Sequence, residues 1–265
     1  MNVKINGVSS CWSSYPIKMA IEKLHAGTIE PLFGMLDTEH VQLCPQHPDF
    51  ISENLLDFLM ETYPATQFRL HADVRLKEKR GYVIDLSNFS SETEWYFRRL
   101  AEYSKRLSAP AYSLHAGKRD GSLAELFEKA KRCQELFECP IAIEGHYPTR
   151  SGKWFIDSWG EYEELLESGM NFALDLSHLN ILAENSKKWE VGLIKAMLNS
   201  PQCIEVHVSF NNGKIDNHLI ASYNHQDQLN FFLMLMGHVN KSATIFSEGN
   251  QTLHERLLKR GSYAN

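Results

Sequence analysis

The chain lacks the features that mark several whole classes of protein. Its cysteines are Cys11, Cys44, Cys133, Cys139 and Cys203. The count is odd and no Cys-x-x-Cys occurs, so neither a disulfide framework nor a thiolate zinc site is indicated. A reducing, cytoplasmic setting fits that pattern. Long hydrophobic runs are also missing. The longest, Phe231 to Met236, falls far short of the ~20 residues that cross a bilayer, so no membrane partner is expected. Met1 to Ser10 reads as a strand and not as a basic segment followed by an apolar one, which argues against a signal peptide. There is no basic excess: 27 Lys and Arg stand against 33 Asp and Glu, a formal charge of -6. That balance weighs against nucleic acid, unless bound divalent cations supply the missing positive charge. Linkers and low-complexity stretches are absent too, so residues 1–265 are expected to form one domain. Oligomeric state leaves no mark in the sequence.

What is present is alternation. Short β-type runs at Val3–Val8, Ile29–Met35, Gln67–His71, Ala111–His115, Ile141–Glu144, Phe172–Asp175, Ile204–Val208 and Thr244–Glu248 alternate with amphipathic stretches. Among the latter are Glu92–Leu107, Leu123–Phe137, Trp159–Leu166, Trp189–Leu198 and Gln228–Met236. Ser91 precedes an acidic turn, and Ser122 has Glu125 three residues on, as a capping box requires. Repeated strand–helix units imply parallel βαβ connections. Eight of them in a chain of 265 residues predict an α/β fold, a (β/α)8 TIM barrel, with an open doubly wound sheet as the competitor.

Side-chain parity favours the barrel, because successive strand residues face opposite ways. From the third strand on, one parity is bulky and apolar: Phe68 and Leu70, Tyr112 and Leu114, Ile141 and Ile143, Phe172 and Leu174, Ile204 and Val206. The other reads Arg69 and His71, Ser113 and His115, Ala142 and Glu144, Ala173 and Asp175, Glu205 and His207, with Glu248 in the matching place on the last strand and Phe246 breaking the small-or-polar rule. Each of these strands thus ends by delivering an imidazole or carboxylate to the lumen at its C-terminal end, where active sites of this fold lie. Such groups crowded together without a cation would cost several kcal/mol, so a metal site is predicted. Arg69 and Glu205, each two residues before a candidate ligand, are expected to pair inside the barrel.

Three residues extend the set. His178 follows Asp175 in Asp-Leu-Ser-His and is expected to open the sixth βα loop. Asp216 and His218 form Asp-Asn-His in the loop after His207. His146 lies on the parity of Glu144 and could reach the same place, although loop packing is the simpler role for it. Tyr147 and Trp154 are expected to form a lid or aromatic wall. His25, His40, His47, His225, His238 and His254 fall in expected helices or other loops and are set aside as ligands.

In these residues the chain resembles the xylose isomerase-like TIM barrels, and within them the AP endonucleases of the endonuclease IV type. The resemblance covers roughly Phe68 to Asn250 and rests on short motifs: His71, His115 in His-Ala-Gly, Glu144, Asp175 with His178, His207, Asp216 with His218, and Glu248. It implies a zinc centre of up to three ions. One would be held by His71, His115 and a bridging Glu144, a second by Glu144, Asp175, His207 and Glu248, a third by His178, Asp216 and His218. Manganese or iron would suit the same donors. The chain departs from that family in the loops flanking the set: Glu-Gly-His-Tyr-Pro at Glu144–Pro148, Val-Ser-Phe-Asn-Asn after His207, and Ala-Asp-Val after His71.

The sequence leads first to a metal-dependent hydrolase of a phosphate ester, in which Glu144 and Glu248 position an attacking water as well as binding metal. Arg75, Lys77, Lys79, Arg80, Lys118, Arg119, Arg150 and Lys153 are candidate phosphate contacts in that reading. Two alternatives stand beside it. In a divalent-metal sugar isomerase or epimerase, Glu144 and Glu248 shuttle a proton beside the carbonyl. In a multinuclear iron oxidative enzyme the substrate is a peptide. The expected partner is accordingly a phosphorylated or sugar-like small molecule, a nucleic acid or a peptide.

Overall fold

The computed structural model describes residues 4–31, 33–72, 74–76, 84–150, 153–220 and 226–254. Strands β1 (Asn6–Val8), β4 (Asp37–Leu43), β5 (Gln67–Leu70), β6 (Tyr112–His115), β7 (Ile141–Glu144), β8 (Phe172–Asp175), β9 (Cys203–Val208) and β10 (Thr244–Ser247) form one sheet in the order β5-β4-β1-β10-β9-β8-β7-β6. Every strand pairing in it among the described residues is parallel. A parallel bridge between His71 and Ser113 joins β5 to β6 and brings the two ends together. The protein is therefore an α/β TIM barrel.

Helices α1 (Ile17–His25), α2 (Glu53–Thr62), α3 (Glu94–Arg106), α4 (Leu123–Phe137), α5 (Trp159–Glu167), α6 (Leu176–Ser186), α7 (Val191–Asn199) and α8 (Gln226–Met236) connect the strands, with α6 and α7 both between β8 and β9. Local chemistry fixes several of their ends. Ser122 and Glu125 make the reciprocal capping box of α4, and Ser52 accepts the Leu55 N–H at the start of α2. Ser91 does not cap α3. That position falls on Thr93, whose hydroxyl donates instead to the carbonyls of Asn88 and Ser90.

The second barrel strand is not Ile29–Met35. That segment forms the two-stranded antiparallel hairpin of β2 (Ile29–Glu30) and β3 (Gly34–Met35), with Ile29 65% and Met35 72% exposed. The strand itself is Asp37–Leu43, in which Val41 and Leu43 are buried and Gln42 pairs in register with Arg69. Its polar inward residues hide it from a search for apolar runs. The first strand begins at Asn6, and Val3 lies outside the described residues.

Register confirms the parity. Phe68, Leu70, Tyr112, Leu114, Ile141, Ile143, Phe172, Leu174 and Val206 are buried in the main apolar cluster, where close packing sets most of the stability. Phe246 pairs with His207 and so points inward, where its ring lies 5.2 Å from the Arg69 guanidinium. The small residues Ala142 and Ala173 are in register with Ser113 and Glu205, leaving room in the lumen for that charge.

Candidate metal centre

The floor of the site is a buried polar network around Glu205. Arg69 Nη1 donates to Glu205 Oε1 at 2.7 Å, while Gln42 Nε2 and Ser113 Oγ donate to Oε2 at 2.6 and 2.7 Å. Burial presses the Glu205 carboxyl upward, but Arg69 and His207 overcome this and hold it at about 2. It is a fixed anion. His207 Nε2 lies 3.3 Å from Glu205 Oε2, which turns Nδ1 of the same ring upward to the barrel mouth. Ser113 Oγ is 3.0 Å from His71 Nδ1, so His71 presents Nε2 to the mouth. Hydrogen bonding at the far nitrogen is how proteins orient imidazoles for metal.

Above the floor the strand ends converge. His207 Nδ1 is 3.4 Å from Glu144 Oε2 and 3.9 Å from Glu248 Oε1. His71 Nε2 stands 3.7 Å from each of the same two carboxylates, and His115 Nε2 is 3.6 Å from Glu144 Oε1. Asp175 has a divided role. Its Oδ1 caps α6 through the N–H groups of Ser177 and His178, at 2.6 and 3.4 Å, which leaves Oδ2 facing the cavity 3.4 Å from His178 Nε2. His178 therefore sits in the first turn of α6 and not in a loop. Its Nδ1 is 2.9 Å from the Gly145 carbonyl, which commits Nε2 to the cavity.

The loop after β9 closes the ring. A two-bond bridge between Phe210 and Leu219 clamps its ends, and Ser177 Oγ donates to Asp216 Oδ1 at 3.2 Å. Asp216 Oδ2 then lies 3.3 Å from His178 Nε2 and 3.2 Å from His218 Nε2, while His218 Nδ1 is 3.5 Å from Glu248 Oε2. His218 adopts φ 46°, a left-handed conformation that a non-glycine residue holds at some cost. The structure thus brings together His71, His115, Glu144, Asp175, His178, His207, Asp216, His218 and Glu248.

The chemistry of this donor set fits a cation. A cavity of about 220 Å³ is lined by Glu144, Asp175, Asp216 and Glu248 among other residues, and by no lysine or arginine among the described residues. Glu144 Oε2, Asp175 Oδ2, His207 Nδ1 and His218 Nδ1 are buried without a hydrogen-bond partner. Buried polar atoms left so are costly, and bound divalent cations would relieve that cost. Three triads place their donor atoms within 4.8 Å of one another: His71–Glu144–His207, Glu144–Asp175–His178 and Asp175–His207–Glu248. Electrostatics point the same way. Burial pushes the His71 imidazole down to about 3, leaving a neutral ligand. Burial raises Glu248 to about 7 against the opposing pull of His207 and His218. Asp216, despite its burial, is held at about 2 by the hydrogen bond from His178 and the charge of His218.

The surroundings match the sequence unevenly. Tyr147 and Trp154 line the cavity as expected. His146 also lines it and packs the loop at once, accepting the Gly117 N–H at 3.2 Å and lying 4.6 Å from the Trp154 ring. Gln46, on the loop after β4, lines the cavity too and escaped the sequence reading, as did Gln42 beneath it. Placing β4 correctly would have revealed both. His40 belongs to β4, with Nδ1 3.2 Å from Arg69 Nη2, and is neither helical nor on a loop.

Among the described residues, the basic loop residues do not line the cavity. Arg75 bonds the His47 carbonyl, and Arg119 pairs with Glu161 and the Trp154 carbonyl. Lys118, Arg150 and Lys153 are absent from the cavity lining. Lys77, Lys79, Arg80 and His225 lie outside the described residues. Among the described residues, no helix is long and apolar enough to cross a membrane.

No protein-family model and no curated protein matches the chain in sequence. Solved structures do match. A D-tagatose 3-epimerase-like protein is similar at a TM-score of 0.63 and 15% identity, over 97% of this chain and 96% of the other. The IolI protein, solved with a zinc atom bound, gives a TM-score of 0.66 at 12% identity over 96% of this chain and 92% of that one. A xylose isomerase domain protein from Salmonella typhimurium LT2 gives 0.60 at 14% identity over 96% and 92%. At such identities the likeness is one of fold, and with the parallel barrel described above it identifies this chain as having the xylose isomerase-like TIM-barrel fold.

Proposed function

We propose that the protein is a divalent-metal-dependent isomerase or epimerase of a small, sugar-like polyhydroxy carbonyl compound. The observation that carries this reading is the bracketing of His207 Nδ1 by two carboxylates, Glu144 at 3.4 Å and Glu248 at 3.9 Å, beside Asp175. Those four residues would hold the ion, which when bound polarises a carbonyl or hydroxyl oxygen and acidifies the neighbouring C–H. Glu144 and Glu248 would then act on that carbon, one removing its proton and the other returning a proton to the opposite face. Tyr147 and Trp154 would bound a cavity of about 220 Å³, which suits a small polar substrate. The fold likeness to an epimerase-like protein and to the zinc-bound IolI protein supports this reading over the phosphate-ester hydrolase that the sequence suggested first.

One observation favours that hydrolase as a second reading. His71, His115, His178, Asp216 and His218 exceed what a single ion needs, and they stand close enough to hold more. Metal stoichiometry separates the two: one ion per chain favours the isomerase, two or three the hydrolase. The direct test is incubation of the metal-loaded protein with a panel of ketoses in D2O. Deuterium entering at the carbon beside the carbonyl, abolished in Glu144→Gln and Glu248→Gln, is the expected result. Absence of exchange across the panel, with metal-dependent cleavage of a phosphodiester instead, would overturn it.

A further inference from the structure

Beside the acidic cavity lies a larger, open groove of about 840 Å³. The two are contiguous, because Tyr147 and Thr149 line both. Their charge is opposite. The inner cavity has four carboxylates, whereas the groove is lined by Arg150, Lys187 and Lys214, with Glu184 the one acid among its described lining residues. Glu184 is 3.4 Å from Lys187 Nζ, and that pair largely cancels. Arg150 and Lys214 have no carboxylate within ion-pair reach among the described residues. The groove is therefore a cationic patch on a chain whose formal charge is -6.

The groove wall is also built. Asn211 Oδ1 accepts the Gly213 N–H at 2.9 Å and Asn212 Oδ1 accepts the Lys214 N–H at 3.0 Å, holding the turn that presents Lys214. Gly213 has φ 74°, and a Cβ there would collide with Glu184 of α6, so this turn needs glycine both for its conformation and for its closeness to the helix. Asn211 is itself buried and donates to the Ser177 carbonyl at 2.8 Å, beside the residues that enter the inner cavity.

We infer that this groove receives an anionic substituent, a phosphoryl or carboxylate group, on the same molecule whose polyhydroxy carbonyl end enters the metal cavity. The inner part of the inference rests on the isomerase reading, while the anion site stands on the groove alone. A substrate with a neutral, oxygen-rich head and an anionic tail matches the change of sign across Tyr147 and Thr149, and a plain sugar leaves the outer cations unused. Charge-assisted hydrogen bonds from a guanidinium and an ammonium are strong enough to set such a preference.

The test is calorimetric titration of the metal-loaded protein with a ketohexose, its terminal phosphate ester, the matching uronic acid and inorganic phosphate. Wild type is compared with Arg150→Ala/Lys214→Ala, whose metal content and melting temperature serve as controls. The phosphate ester or the uronic acid is expected to bind about tenfold or more tightly than the neutral sugar. Whichever gains more identifies the anion. The double variant should lose that advantage, weaken inorganic phosphate about tenfold, and bind the neutral sugar unchanged. Equal affinity for charged and neutral sugars, or equal phosphate affinity in wild type and variant, would overturn the inference. Should no sugar bind at all, the isomerase reading fails, and the phosphate comparison still decides the groove.

Discussion

Arg69 and Glu205 meet inside the barrel at 2.7 Å, joining the third and seventh strands of the barrel across its lumen. Both side chains are almost wholly buried, and Glu205 also accepts from Gln42 and Ser113. Removing one partner leaves an uncompensated charge in the interior. Arg69→Met is expected to lower unfolding free energy by about 3–5 kcal/mol, measured by denaturant titration. Arg69→Met/Glu205→Leu should cost less than the sum of the single changes. Additive losses would show that the pair is not coupled.

The same glutamate orients a proposed ligand. Because Glu205 Oε2 lies 3.3 Å from His207 Nε2, Glu205→Gln should leave His207 in place but weaken its hold on metal about 10–100-fold. Competition with a chromophoric chelator measures this. An affinity equal to wild type would remove Glu205 from the account of the site.

Metal removal should also be felt in folding. The donor atoms of Glu144, Asp175 and His207 converge only in the folded chain, so a divalent ion held there would favour the native state. At an ion concentration of 100 times Kd the stabilisation is about 2.7 kcal/mol. Thermal melts with ion or chelator should then differ by roughly 5–10 °C. Coincident melts would contradict the site.

A carboxyl outside the proposed ligand set gives a pH signature. Glu30, on the β2–β3 hairpin, is 1% exposed and hydrogen-bonded by the Ser247 hydroxyl. Burial raises it from 4.5 to about 7, the hydrogen bond acting in the opposite direction. With its folded value above its unfolded one, Glu30 is most favourable to folding below pH 4.5, and that contribution is lost as pH rises through 7. The loss is about 3 kcal/mol between pH 4.5 and 8. Glu30→Gln does not titrate, so its stability relative to wild type should improve by about that amount over this range. Denaturant titrations at the two pH values check it, and a constant difference would show that Glu30 is not protonated in the native state.

Much of the barrel was legible because strand parity is a strict physical constraint. Ile141–Glu144 and Phe172–Asp175 have the bounds expected from sequence, and α4 begins at its capping box. The misplaced second strand has a simple cause, namely that apolar content is not burial. Ile29 and Met35 look like a core strand yet lie exposed on a hairpin, while Asp37–Leu43 looks like a loop because its lumen-facing residues are His40 and Gln42. Gln42 and Gln46 were missed with it. The converging side chains were legible because each strand ends on a donor. The cationic groove was not, since Arg150, Lys187 and Lys214 come from three separate segments that only the fold brings together.

Elemental analysis of the protein purified without added metal decides whether the barrel mouth holds an ion, beside an Asp175→Asn/His207→Gln variant of unchanged circular dichroism. The expected result is at least one divalent ion per wild-type chain and a loss of metal in the variant. A wild-type chain free of metal even after loading, or a variant that retains the full complement, would contradict it.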